Sequence, residues 1–574
     1  MTTGESVTVA ERIALALGRH GVKMIFAQSL PSAVVLACEG QGIRQIAYRQ
    51  ENMGGAMADG YARISGQVPV VCAQNGPAAT LLVAPLAEAL KASIPIVALV
   101  QEVERPYMDR NAFQELDHLA IFSGCTKWTK RIITNDRVED YVDQAFVAAA
   151  SGRPGPAVLL LPGDLLREPA AEPLSRRSNT LGNWPLDAIQ PGAAQIQQAA
   201  RVIGQAKHPV ILAGGGVHSG GAAQALADLQ ELAAIPVFTT NMGKGAVDEH
   251  HPLSCGVLGA LNGPGSLGQY TRAILDHADV VLLAGTRSNQ NGTDSWRLIP
   301  PSARVLHIDI DPNEIGRNYE AMRLVGDAAS TLNALTTALQ ASDLSRRHAA
   351  RNALESQIAA AWAAFARDLE PALTRNASSI RPERVMAELQ KLLTETSIVV
   401  ADASYSSMWV AGQLRSSAVG TRYITPRGLA GLGWGVPLAM GAKLARPDER
   451  VIAIVGDGGF AHSWAELETM VRMQIPICVI VLNNGVLGYQ KDAEYVRFGT
   501  FTTACRFAPV DHAAIAQACG CRAVRVEDVN DLAQRLAEAL DDHNPWLLDV
   551  VTDPDAHPPL SLFAGSLDQV HARE

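Results

Sequence analysis

Residues 451–490 read VIAIVGDGGFAHSWAELETMVRMQIPICVIVLNNGVLGYQ. An apolar run from Val451 ends in Gly456-Asp457-Gly458-Gly459. A helix is expected next, with its first turn near Ala461, and a second apolar run then extends to Leu482 and closes in Asn483-Asn484-Gly485. Runs that are apolar throughout belong to parallel strands covered on both faces, and a strand–helix–strand unit brings both polar clusters to the C-terminal edge of neighbouring strands, where open α/β sheets bind ligands. Glycine lets backbone N–H groups approach a phosphate, and a helix start favours its charge. Asp457 and Asn484 supply the hard oxygen ligands that Mg²⁺ takes when phosphate oxygens and water complete its octahedron. Gly-Asp-Gly-Gly alone describes many tight turns; the 27-residue interval from Asp457 to Asn484 in an intact strand–helix–strand setting makes the pattern specific.

The same grammar runs outward in both directions. QVPVVCAQN, SIPIVALVQ, GPAVLLLPGD, HPVILAGGG, ADVVLLAGT, RVLHIDIDP, TSIVVADAS and PWLLDVVTD are apolar runs separated by alanine-rich helical stretches. The class is α/β, with three doubly wound parallel-sheet domains expected at about 1–170, 190–345 and 375–560, and a proline-broken tail at 561–574. The joints are the polar, proline-bearing stretch 166–192 and a charged helical connector at 341–362. A chain of 574 residues with 48% apolar content affords large buried interiors. Its net charge of −10, with no basic run, argues against nucleic-acid and anionic-membrane partners and for small-molecule chemistry. Glu5 and Glu11 stand where a secretory leader would be basic and then apolar, so a cytosolic protein is expected. Of eight cysteines only Cys519 and Cys521 are close, without metal-ligand spacing, and they read as ordinary thiols.

The segment 451–490 resembles the thiamine diphosphate enzymes of the acetolactate synthase and pyruvate decarboxylase superfamily, whose signature is Gly-Asp-Gly, a spacer of this length and an asparagine pair. The likeness spans nearly the whole chain and implies a pyrimidine-binding domain, a middle Rossmann-like domain and a diphosphate-binding domain. It implies that Asp457, the Asn484 side chain and the Val486 carbonyl hold Mg²⁺ on the diphosphate, with Gly456, Gly458, Gly459, Leu487, Gly488 and Tyr489 around the cofactor. Ser404, Tyr405 and Ser406 fall where the family uses Gly-Gln-His. Glu51, in RQENMGGAMADGYAR, matches the family's glutamate, the carboxylate that shares a proton with the aminopyrimidine; burial raises its pKa for that task. Gly431 and Leu432, in GLAGLGWGVPLAMGAKLA, match the segment whose bulky residue bends the cofactor. Because Glu51 is in the first domain and the metal site in the third, the resemblance implies at least a homodimer, and a homotetramer as the usual state.

Other segments depart from the family. The middle domain holds FAD in acetolactate synthases and ADP or nothing in other relatives; here AGGGVHSGG lacks a GxGxxG frame, and Asp309 and Asp311 read as strand-end caps. Tyr489 and Ala493 stand where acetolactate synthases carry a tryptophan and a nearby methionine. Glu494 falls where 2-hydroxyacyl-CoA lyases use a glutamate as proton relay. Gln28 in FAQSLPSAV, Gln74, and Phe113-Gln114 are expected at the substrate pocket, Gln28 and Gln114 with catalytic roles, offering amide contacts to a carbonyl or alcohol. The leading expectation is a lyase or carboligase acting on 2-oxo acids like acetolactate synthase. The alternatives are a 2-hydroxyacyl-CoA lyase and a catalytically idle nucleotide-binding subunit; loss of Glu51 or Asp457 would mark the last, and both are present.

Overall fold

Apolar runs become strands and alanine-rich stretches become helices in three successive six-stranded sheets, each parallel throughout. The structure is a computed structural model that describes residues 7–172, 178, 179, 181–374, 379–563 and 567; most of the expected tail, part of the joint 166–192 and the expected start of the third unit at 375 lie outside them. The α/β reading of three doubly wound sheets is borne out. No helix among the described residues is long and apolar enough to cross a membrane.

The first sheet contains β1 (Met24–Phe26), β2 (Arg44–Ile46), β3 (Val70–Ala73), β4 (Ile96–Glu102), β5 (Trp128–Arg131) and β6 (Pro156–Pro162), in the order β2-β1-β3-β4-β6-β5. The second contains β7 (Pro209–Ala213), β8 (Val237–Thr239), β9 (Ser254–Val257), β10 (Val280–Ala284), β11 (Arg304–Asp309) and β12 (Ala321–Val325). Its order, β12-β11-β10-β7-β8-β9, is that of dinucleotide-binding sheets, with the reversal between β7 and β10. The third contains β13 (Ile398–Ala401), β14 (Tyr423–Ile424), β15 (Val451–Gly456), β16 (Cys478–Asn483), β17 (Arg522–Val526) and β18 (Trp546–Val551). Its order, β14-β13-β15-β16-β18-β17, repeats that of the first sheet strand for strand.

First and third units are pressed together through equivalent helices, Glu51–Ser65 after β2 and Gly435–Ala445 after β14. The crossing requires glycine on each side: a Cβ on Gly60 would lie 2.1 Å from the Leu438 carbonyl oxygen, and one on Gly441 1.9 Å from that of Met57. A single apolar core runs through both units. The middle sheet has its own core on each face. It is tied to the third unit by buried Lys244, whose ammonium donates to Glu249 at 2.9 Å and to the Leu414 carbonyl at 2.6 Å. The connector is a helix, Ser345–Thr374. Leu560, Phe563 and Leu567 of the C-terminal segment pack into the other core of the third unit.

Candidate active site

The C-terminal ends of β13, β15 and β16 converge on a cavity of 60 Å³, at the point where the strand order of the third sheet reverses. Ser404, Tyr405, Ser406, Leu432, Gly456, Asp457, Gly458, Gly459, Asn484, Val486, Leu487 and Gly488 all line it. The chain turns helical at Asp457, four residues before the position expected from sequence, in a short turn Asp457–Phe460 followed by a 3₁₀ turn and the helix Glu466–Arg472. Close packing forces the early turn: a Cβ on Gly459 would sit 2.1 Å from the Asp402 carboxylate, and one on Gly458 2.8 Å from Leu487 and Phe507.

Asp457 is buried, and burial raises its pKa to about 6 although the Gly485 N–H donates to its Oδ2 at 2.8 Å. A carboxylate so short of countercharge suits a cation. Asp457, Asn484 and Val486 offer one carboxylate, one amide and one peptide carbonyl, a hard donor set that leaves positions for phosphate oxygens and water around Mg²⁺. No group of three or more His, Cys, Asp or Glu side chains is placed to hold a metal among the described residues. Ser404 sits at φ +66° and ψ −144°, a backbone that favours glycine. The Tyr405 hydroxyl is committed to Asp492 at 2.6 Å, so of the three replacements only the two serines turn small polar side chains to the cavity.

Leu432 is 38% exposed and lines both this cavity and a larger one of 630 Å³ between the third unit, the middle unit and the C-terminal segment. The loop that presents Leu432 is gripped from both sides. Glu88, on the helix Pro77–Ala92 of the first unit, accepts from the N–H groups of Gly428, Leu429 and Ala430. Asp402 accepts from those of Gly433, Trp434 and Gly435 at 2.9, 3.1 and 3.2 Å. Both carboxylates are buried, and burial pushes both pKa values up against these N–H bonds. Gly431 lies between them, where a Cβ would meet the Trp434 ring at 3.0 Å. Neither carboxylate was among the expected site residues. Asp402 had a local signal, a carboxylate at the end of a buried strand; Glu88 had none, because its partners lie some 340 residues away.

The first-unit candidates line neither of these two cavities. Glu51 starts the helix Glu51–Ser65, half-buried, with its pKa raised by burial and no side-chain partner among the described residues. Just before it, the Arg49 N–H donates to Glu466 of the third unit at 3.0 Å. Gln28 donates to the Arg49 carbonyl at 2.6 Å, close in sequence to Glu51. Gln74 donates to Gln114 at 2.8 Å, and Gly76 beneath them donates its N–H to His118 Nε2 at 3.0 Å. His118 is buried with Glu102 at 3.3 Å, and against burial the hydrogen bonds from His118 and Arg131 lower the Glu102 pKa. Phe113 is 84% exposed.

Tyr489 lines the larger cavity, its ring between Tyr405 and Phe563. Glu494 lines neither cavity; its carboxylate accepts from Gln490 at 2.8 Å and from the Thr502 N–H at 2.7 Å, contacts that lower its pKa. The middle unit has a cleft of 150 Å³ at its own strand reversal, lined by Gly215, Gly216, Gly220, Arg287, Asp309 and Arg427. Asp309 accepts from the Asp311 N–H at 2.9 Å, and Asp311 pairs with Arg153.

Comparison with known proteins agrees with this architecture. The chain matches the thiamine pyrophosphate enzyme families described as N-terminal TPP binding domain over residues 7–121, central domain over 196–335 and C-terminal TPP binding domain over 402–550. It is 32% identical to a probable acetolactate synthase large subunit of Methanocaldococcus jannaschii, covering 98% of this chain and 94% of that protein. It is 32% identical to the acetolactate synthase of Mycobacterium bovis, over 99% and 92%, and to that of Arthrospira platensis, over 96% of each. With all three domains in order, two ThDP-binding sheets of one topology and a glycine-lined cavity at the reversal of the third sheet, the chain belongs to the thiamine pyrophosphate enzyme family and is a thiamine diphosphate-dependent enzyme.

Proposed function

We propose that this enzyme is a Mg²⁺-dependent carboligase of the acetolactate synthase type, joining the acyl part of one 2-oxo acid to a second carbonyl compound. One observation carries the reading beyond the family: Ser404 and Leu432 line both the cavity with the metal donor set and the 630 Å³ cavity, so substrate space opens directly onto the place for the cofactor's reacting rings. The whole-length likeness to acetolactate synthases supports the substrate class.

When bound, thiamine diphosphate supplies a carbon acid whose conjugate base adds to a carbonyl and stabilises the charge left when the adjacent bond breaks. Asp457, Asn484 and Val486 hold the cation that anchors the diphosphate, and the Gly456–Gly459 turn lets the backbone approach it. Leu432, fixed by the Glu88 and Asp402 clamps, would support the cofactor from below. Glu51 holds a proton for the aminopyrimidine, a task for which its half-buried, partnerless carboxylate is suited. Glu51 lines neither the cavity that holds Asp457 nor the larger one beside it, which supports the expectation that sites form between protomers of a homodimer or homotetramer. Gln28, Gln74 and Gln114 then belong to the substrate side of that composite site. The middle cleft suits a nucleotide such as FAD or ADP: Arg287 lines it with no ion pair among the described residues. The hydroxyacyl-CoA lyase alternative would need Glu494 free to relay a proton, whereas Gln490 and Thr502 hold it.

Proton NMR of the products from the purified enzyme with thiamine diphosphate, Mg²⁺ and pyruvate tests the reading. Acetolactate is expected. An enzyme that leaves pyruvate untouched and cleaves a 2-hydroxyacyl-CoA would replace this reading with the lyase.

A further inference from the structure

Beneath the Gln74–Gln114 amide pair runs a row of buried polar groups that the chemistry does not use. His118 opens the helix His118–Ser123, and its Nε2 accepts from the Gly76 N–H at 3.0 Å. Accepting there requires a lone pair, which leaves the ring proton on Nδ1, 3.3 Å from the Glu102 carboxylate. Glu102 ends β4 and also accepts from Arg131 of the edge strand β5, whose Nη2 lies at 2.8 Å. Both ring nitrogens are therefore engaged by different elements, and the imidazole is fixed in one plane and one tautomer. The backbone above it is strained. Gly76 stands at φ +63° and ψ −121°, a conformation left to glycine, and a Cβ there would lie 2.8 Å from that of Gln114. Gln114 is itself at φ +60°, and such backbone persists only where its surroundings over-determine it. Asn75 Nδ2 donates to the Gln114 carbonyl at 3.1 Å, and Gln74 donates to Gln114 Oε1. Residues 74–76 and the loop at 113–114 thus form one piece, and His118 fastens that piece to the carboxylate at the end of β4. The piece borders a pocket of 420 Å³, lined by Asn75, Glu102 and Phe113 and by Leu30 and Ser32 of the loop that carries Gln28.

We propose that His118 is a positioning residue for the substrate side of the reaction: as an acceptor oriented by Glu102 and Arg131, it sets where the Gln74 and Gln114 amides stand. This rests on the carboligase reading, in which those amides meet the substrate. With Gln74 donating to Gln114, the Gln114 N–H₂ and the Gln74 oxygen are left for a ligand, a donor for a carbonyl oxygen beside an acceptor for a hydroxyl. Both act only over hydrogen-bond distances, so a displacement of about 1 Å in the Gly76 turn is felt in the rate. The cofactor side, with Glu51 on another helix, is left untouched by such a displacement.

Two substitutions separate the ring nitrogens. Glutamine reaches as far as Nε2 and still accepts from the Gly76 N–H, whereas asparagine reaches only to Nδ1 and keeps the Glu102 contact alone. Full-length enzyme with thiamine diphosphate and Mg²⁺ is assayed for pyruvate consumption, with cofactor affinity by calorimetry and exchange of the cofactor's C2 proton alongside. His118→Asn is expected to lower kcat/KM for pyruvate by roughly 10-fold or more, the worth of a stranded buried N–H, and His118→Gln to keep most of it, with cofactor affinity and C2 exchange at wild-type values in both. In a Gln114→Ala background His118→Asn should cause no further loss, because it acts through that amide. Wild-type kcat/KM in His118→Asn overturns the proposal and leaves the carboligase reading standing. A parallel fall in cofactor affinity and C2 exchange also overturns it, marking His118 as a packing residue. Wild-type enzyme that consumes no pyruvate overturns the carboligase reading itself, and the proposal with it. Should His118→Asn not fold, Glu102→Asp decides, since it draws the carboxylate back from the imidazole: a fall in kcat/KM with C2 exchange intact supports the proposal, and unchanged kcat/KM overturns it.

Discussion

Glu51 occupies the first turn of its helix, half-buried, with burial raising its pKa and no side-chain partner among the described residues to lower it again. A structural carboxylate at a helix start is ordinarily capped or paired; Glu466 does that work here, taking the N–H groups of Arg49 and Gln50 at 3.0 and 3.3 Å and leaving Glu51 free. Glu51→Gln should therefore bind thiamine diphosphate much as the wild type does. Exchange of the cofactor's C2 proton with D₂O should slow by about 10²–10⁴-fold, the usual worth of a positioned proton-transfer group. Wild-type exchange in the variant would remove Glu51 from this role. Asp457 and Glu494 show how one functional group, the carboxylate, serves opposite ends. Asp457 is buried with its pKa raised to about 6, whereas Glu494 is held ionised by hydrogen bonds that staple its helix to the loop at Thr502.

Elements position these residues, and the loop 428–435 is the clearest case. Six of its eight backbone N–H groups are taken by two carboxylates from two different units, so it cannot rearrange without stranding buried donors and a buried charge together. Asp402→Asn keeps the shape but sets an amide N–H₂ against backbone N–H groups. The variant should weaken thiamine diphosphate binding by roughly 10-fold and shift the emission of the adjacent Trp434 even without cofactor. Unchanged affinity and emission would show that the clamp does not control the loop. This loop also marks the limit of what sequence displays. Asp457 and Asn484 were legible because a strand, a helix and a strand fix their separation locally. Leu432 was reached only through the resemblance of its segment to the family's, since a leucine among glycines reads equally well as core. Glu88 was not: within PLAEALKA it reads as an ordinary polar helix position, and its meaning comes from a fold that brings residue 428 beside it.

Across the whole molecule the units are held by a few buried polar ties and one tight helix crossing. His218 of the middle unit faces the Lys244 carbonyl at 2.9 Å, and burial together with Arg422 of the third unit lowers its pKa to about 3. The unfolded chain, with an ordinary value of 6.5, binds the proton that the folded one refuses, so stability should fall as pH drops from about 6.5 toward 3. His218→Gln should flatten that part of the wild-type thermal-denaturation profile; parallel profiles would show that His218 does not govern it. Gly60→Ala and Gly441→Ala should each lower Tm by several degrees, through a Cβ placed against a carbonyl with no room to move, and together should depart from additivity because they load one contact. Additive losses would mean the helices separate independently. The reciprocity of that crossing, Gly60 on Leu438 and Gly441 on Met57, between equivalent helices of two sheets with one strand order, has the form of a two-fold axis inside a single chain. The first and third units are thus a dimer spliced into one polypeptide, with the middle unit as an insertion that parts the copies in sequence while they stay neighbours in space. The lineage of the fold can be read as duplication of one six-stranded unit, the two copies keeping one strand order.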